Sequence, residues 1–114
     1  MSNTLSSQFG DVCSIYDVWQ CNFWNTSLKT SHMRIFKKHA GSSKLKKLDV
    51  RWNDTLGVEG VAHLASVVLQ CEVEDVNMSD CGLTAEAMKG FKNNTRGAKV
   101  KLKFISIIYF VFLY

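Results

Sequence analysis

The chain has 114 residues, 46% of them hydrophobic and 21% charged, with a net charge of +4 and no proline. That composition suits one folded domain and excludes a collagen, a coiled coil, a polytopic membrane protein and a chain disordered throughout. The charge is banded: residues 29–51 hold eight of the fourteen basic side chains, residues 52–88 hold none and seven acids, and residues 89–103 hold the other six. So mild a balance gives no ground to expect nucleic-acid binding.

Residues 1–11 are rich in Ser and Asn, lack the apolar stretch of a secretory signal and read as a flexible N-terminus. Without secretion, Cys13, Cys21, Cys71 and Cys81 read as reduced thiols of a cytoplasmic protein. They contain no C-x-x-C spacing and no accompanying His pair, so no metal or other cofactor is expected. From residue 12 an apolar frame begins that recurs along the chain. Its first, degenerate copy is Cys13, Tyr16, Val18, Cys21 and Phe23. Ser31 is placed to cap a helix that carries Met33, Phe36 and Ala40 on one face and ends at Gly41. Lys37, Lys38 and His39 fall where cations favour its C-terminus.

The frame is clearest from residue 45. Leu45, Leu48, Val50 and Asn53 recur 28 residues later as Val73, Val76, Met78 and Cys81, and a further apolar residue follows each time, Leu56 and Leu83. Between the copies, Val61, Leu64, Ala65, Val68 and Leu69 have the spacing of one helix face. Thr84 is a plausible cap for a helix through Phe91, with Glu86 in its first turn and Met88 and Phe91 facing inward. A further shift of 29 brings Leu102, Ile105, Ile107 and Phe112 onto the apolar positions and Phe110 onto the Asn position. Residues 12–114 thus read as one array, clear over 45–91, degenerate over 12–44 and incomplete over 100–114.

Each unit is a short strand followed by a helix. Side chains alternate along a strand, so Leu48 and Val50 point inward while Asp49 and Arg51 point out. No unit can close its own core, but stacked units share one, with parallel strands on the inner face and helices on the outer. Asn53 lies where the chain leaves the strand, and its amide can satisfy the backbone of that turn. In the segments LKKLDVRWNDTLGVEGVAHLASVVLQC and VEDVNMSDCGLTAEAMKGF, the chain resembles the ribonuclease-inhibitor-like class of leucine-rich repeats, as a short or truncated array. The resemblance implies an α/β solenoid fragment that binds a protein partner on its concave face. Related arrays occur in innate-immune nucleotide-binding receptors, GTPase-activating proteins and inhibitors of ribonuclease, so a GTPase-activating or other regulatory role is the alternative that the resemblance brings.

No catalytic constellation stands out. His32, His39 and His63 fall on helices with no nucleophile in a recognised motif, and there is no P-loop, GxGxxG or HExxH. The chain is therefore read as non-enzymatic, and a surface remains. The outward positions are Asp17, Trp19 and Gln20 in the first copy, Lys47, Asp49, Arg51 and Trp52 in the second, and Asp75, Asn77, Ser79 and Asp80 in the third. Trp and Arg are enriched at binding hot spots. The candidate protein-binding set is Trp19, Asp49, Arg51, Trp52, Asp75 and Asp80.

Residues 104–114, FISIIYFVFLY, are almost wholly apolar. As a helix they would span about 16 Å, short of the roughly 20 residues a bilayer needs. They read as the last strand of the sheet, whose open edge invites self-association. Lys99, Lys101 and Lys103 beside them keep membrane attachment as a further alternative.

Overall fold

The computed structural model describes residues 1–15, 18–41 and 43–103. Its elements alternate: α1 (Asn3–Ile15), β1 (Gln20–Asn22), α2 (Thr30–Ala40), β2 (Lys47–Asp49), α3 (Gly57–Cys71), β3 (Asp75–Asn77), α4 (Ala85–Asn94) and β4 (Lys101–Lys103). The strands form one parallel sheet in the order β1-β2-β3-β4. The helices pack in the same order, α1 on α2, α2 on α3 and α3 on α4. The chain is an α/β leucine-rich-repeat-like solenoid. Its core lies between the two layers, built from Leu45, Leu48, Val50, Leu56, Leu64, Val76, Met78 and their neighbours.

Strand register fixes the repeat. Leu48 pairs with Val76, as the sequence frame requires. The flanking copies sit elsewhere than expected. Cys21 pairs with Leu48, so the first coil aligns as Val18, Cys21, Phe23, Thr26 and Leu28, and Cys13 lies on α1 instead. Leu102, not Ile105, pairs with Val76. Ile105, Ile107, Phe110, Phe112 and Tyr16 lie outside the described residues. Both shifts have one cause. The apolar pattern alone tolerates several alignments, whereas backbone pairing between strands only three residues long admits one.

Of the residues read as a flexible N-terminus, 3–11 belong to helix α1 (Asn3–Ile15). Ser6, Gly10 and Cys13 are buried, one helical turn or so apart. Phe9 meets Phe23 edge-on, with ring centroids 5.3 Å apart, and Phe23 meets Phe36 at 5.0 Å. A Cβ on Gly10 would stand 2.5 Å from His39 Cβ, so the close approach of α1 and α2 requires glycine there. His39 Nδ1 and Asp11 Oδ1, 2.8 Å apart, tie the same two helices. Few hydrophobic residues are needed for this, which is why the segment's polar composition misleads.

Helix ends follow local chemistry. Thr84 caps α4, its side chain accepting from Ala87 N. Gly41 ends α2 at φ 56°. Ser31 is inside α2 rather than its cap; Lys29 holds that position, and the His32 ring reaches back to it, its Nδ1 accepting from Lys29 N at 3.0 Å. On α3, Val67 is buried and Leu69 is exposed, the reverse of the expected face at that turn. His63 is half-buried, and its Nδ1 accepts from Lys37 Nζ at 2.9 Å.

The link between coils one and two is Asn53, fully buried. Its Oδ1 accepts from Thr26 N at 3.1 Å and Leu28 N at 2.8 Å. Its Nδ2 donates to Phe23 O, Val50 O and Arg51 O at 2.7, 2.9 and 3.1 Å. Cys81 holds the same place in coil three, and its Sγ donates to Val50 O at 3.0 Å. Thr26 holds it in coil one, with Oγ1 donating to Phe23 O. Replacing Asn53 by Ala leaves two amides of coil one, Thr26 N and Leu28 N, without their acceptor, while Phe23 O keeps its bond from Thr26 Oγ1. Asn53→Ala will lower stability by about 3 kcal/mol, read as a fall in the urea midpoint.

Both ring nitrogens that accept, on His32 and His63, must be unprotonated to do so. Burial, with nearby cations, lowers the pKa of each. The unfolded chain then takes up protons near the ordinary histidine value of about 6.5, where the folded chain refuses them. Stability is complete above that pH and is lost as pH falls below it. The urea midpoint will drop between pH 7.5 and pH 5, and the drop will be smaller in His32→Gln.

Candidate functional site

On the inner face of the sheet, the outward side chains form lateral rows. The first row is Gln20, Lys47, Asp75 and Lys101; the second is Asn22, Asp49, Asn77 and Lys103. Extending the register by two residues places Trp24 beside Arg51 and Ser79, with Asn25 N–H donating to Arg51 O and Trp52 N–H to Ser79 O. An open groove of about 300 Å³ runs along the first two rows. Seven of its ten lining residues carry a charged or amide group and it is open to solvent, unlike the enclosed apolar pockets that hold small molecules.

The second row is structural. Asn22 Oδ1 accepts from Trp24 N at 2.7 Å, Asp49 Oδ1 from Arg51 N at 3.1 Å, and Asn77 Oδ1 from Ser79 N at 3.1 Å. One Asx turn thus recurs in three coils and satisfies an amide at the end of each strand. Asp49 is further engaged by Arg51, whose Nε lies 3.0 Å from both carboxylate oxygens and whose second terminal nitrogen lies 2.7 Å from Oδ2. Those hydrogen bonds raise the Arg51 pKa. Of the six residues singled out from sequence, Asp49 and Arg51 therefore form a closed pair rather than two free contacts.

The aromatic members stay open. Trp19 is 55% exposed and Trp52 46% exposed. Trp24, 53% exposed, was not on the sequence list. Its signal was the 27-residue offset to Arg51, hidden while the first coil was misaligned. Lys47 Nζ lies 5.5 Å from the Trp19 ring centroid, and the Arg51 guanidinium carbon lies 5.9 Å from that of Trp24. Both are cation–π distances. All three tryptophans of the chain thus lie about half exposed on coils one and two, two of them backed by a cation. Asp75 is half-buried between Lys47 and Lys101 in its row. Asp17 lies outside the described residues.

Trp52 has a second peculiarity. The residue before the Thr26, Asn53 or Cys81 position is left-handed in every one of these coils: Asn25 at φ 50°, Trp52 at φ 60° and Asp80 at φ 56°. Asn and Asp tolerate that conformation because their side chains hydrogen-bond locally. A bulky indole does not, and at this position it is strained. Asp80 therefore has a turn-forming reason to be where it is; Trp52 has none.

The other chemistry-bearing residues serve the fold. All four thiols are free and buried. A hydrogen bond between Cys13 and Cys21 lowers the pKa of the first and raises that of the second, while burial raises those of Cys71 and Cys81. Among the described residues, no three His, Cys, Asp or Glu side chains gather as metal ligands.

Residues 41–65, which hold β2, the Asn53 turn and the first half of α3, match the family model of the leucine-rich repeat. The match supports a leucine-rich repeat there, in agreement with the sheet and helix layers. No curated protein and no solved structure matched the chain.

Asn25 and Asp80 mark what the turn at residue 52 prefers. Trp52→Asn will raise the stability of the chain by about 1 kcal/mol by relieving the left-handed indole, measured by urea unfolding with the far-UV circular dichroism unchanged.

Proposed function

We propose that the chain is a non-catalytic protein-interaction module that binds a protein partner on the concave face of coils one and two. The observation that carries this reading is the exposure of Trp19, Trp24 and Trp52 on coils one and two, with Lys47 and Arg51 at cation–π distance from Trp19 and Trp24. Large, rigid aromatic side chains supply most of the energy at protein interfaces when they are buried by a partner. The strained backbone of Trp52 supports the same reading, since local structure gives no reason for an indole there. The contact set becomes Trp19, Trp24 and Trp52, with Lys47, Asp75 and Asp80 at its border. Asp49 and Arg51 shape that surface as a pair. A role in which an arginine is presented to a nucleotide has no support from Arg51, whose guanidinium is held by Asp49.

The class we favour is the ribonuclease-inhibitor-like one. The strand-to-strand offsets of 27, 28 and 26 residues and the α-helices that follow β1, β2 and β3 support it. The compartment we favour is the cytoplasm, supported by four buried thiols, none of them in a disulfide.

Capture of proteins from a cell lysate by the immobilised chain tests the binding face. The double variant Trp24→Ala, Trp52→Ala will lose the captured set, with unchanged circular dichroism. Lys38→Ala on the helical side will keep it. Loss in Lys38→Ala with retention in the tryptophan variant overturns the reading.

A further inference from the structure

Which charges stay open on the concave face follows from what the fold has already used. Asp49 is closed by Arg51, whose Nε and second terminal nitrogen both reach its carboxylate. Asp75 is half-buried and stands between Lys47 and Lys101 in its row. Asp80 is half-buried in its left-handed turn. The exposed charged side chains of the four strands are then Lys47, Lys101 and Lys103, all of one sign. None of the three enters an ion pair among the described residues.

Sheet order sets where these cations lie relative to the aromatic side chains. Trp19 and Trp24 flank β1, and the two outer lysines are on β4, three strands away. Neighbouring strands are about 4.8 Å apart, so that distance is roughly 14 Å, the span of about four residues of extended chain. Lys47 lies between them and is already at 5.5 Å from the Trp19 ring centroid. Lys101 and Lys103 point to the same side of one strand, roughly 6.6 Å apart. The groove along the first two rows joins all three lysines. A short linear segment can therefore reach the exposed indoles at one end and the paired lysines at the other.

We propose that the partner seats an acidic peptide segment on this face, with an apolar or aromatic residue against Trp19 and Trp24 and Asp or Glu side chains over Lys47, Lys101 and Lys103. This inference rests on the reading of the tryptophans as the binding surface and adds the chemistry of what they hold. The two groups do different work. Indoles buried by a partner supply the hold. Charge pairs at the border of an interface add little energy each, but they speed encounter and reject a partner of the wrong sign. A basic segment would set its cations against three unpaired lysines, and that repulsion is itself a source of specificity.

The test is selection of a random peptide library on the immobilised full chain, followed by titration of the recovered peptides one by one. The recovered set will be enriched in Asp and Glu over the starting library and will carry an aromatic or aliphatic residue. At about 0.1 M salt, the triple variant Lys47→Gln, Lys101→Gln, Lys103→Gln will bind these peptides about tenfold more weakly, with unchanged circular dichroism. Most of that difference will vanish at about 0.5 M salt, where exposed charges are screened. Lys101→Glu with Lys103→Glu will shift a fresh selection away from acidic peptides. Recovery of neutral or basic peptides that need Trp24 and Trp52 overturns this inference and leaves the tryptophan surface standing, and so does equal binding by the triple variant. Recovery of peptides that bind the Trp24→Ala, Trp52→Ala variant as well as the wild-type chain overturns both. Salt-sensitive binding of single-stranded polyuridylate without any acidic peptide overturns the inference too, since the lysines would then serve a nucleic acid.

Discussion

A chain that coils back on itself must leave each strand through a turn, and that turn is buried against the next coil. Its amides and carbonyls have no water to bond. The fully buried Asn53 side chain answers for coils one and two at once, giving two acceptor and three donor bonds to backbone groups of both. Everything else in the array presupposes that this turn closes. Leu48 can sit over Cys21, and α3 can return along α2, only if the intervening turn is satisfied. Cys81 makes a thinner version of the same link in coil three, so the tie between coils weakens towards the C-terminal side.

The opposite end is closed by a different device. A repeat array needs a terminal element that covers its first hydrophobic layer. Here α1 does so with one aromatic contact, Phe9 on Phe23, continued by Phe23 on Phe36. Gly10 permits the approach, and the Asp11–His39 contact sits beside it. The concave face inherits its character from these constraints. Its middle row is committed to Asx turns and to the Asp49–Arg51 pair, so the open side chains are those left over: three tryptophans, Gln20, Lys47 and the lysines of β4.

How far the sequence could be read varies with the strength of the local signal. In coils two and three, Leu48 and Val50 answer to Val76 and Met78 at one offset, and the strands pair there. In coil one the same frame is written in Val18, Cys21, Phe23, Thr26 and Leu28, where Cys and Thr replace the expected residue types. A frame starting five residues earlier fits almost as well on hydrophobicity, and it hides Trp24 from the inner face. The Asn22, Asp49 and Asn77 row was visible as a 27- and 28-residue recurrence, yet it carries meaning only once each side chain is seen to hold the amide two residues on. The strain at Trp52 could not be read at all, because a residue's φ depends on the turn around it.

The sequence by itself determined the repeat: a strand-and-helix unit whose apolar faces cannot be sheltered singly, with Asn53 at the turn and acids at the starts of α3 and α4. These follow from periodicity and from the hydrogen-bonding needs of the local backbone, which nearest neighbours in the chain decide. Tertiary structure decided the register of the outer coils, the packing of α1 on α2, the closure of Asp49 on Arg51 and the exposure of the tryptophans. The register depends on which residues 26 to 28 positions apart lie side by side, and a pattern of hydrophobicity leaves that choice nearly degenerate until backbone pairing and close packing between coils select one alignment.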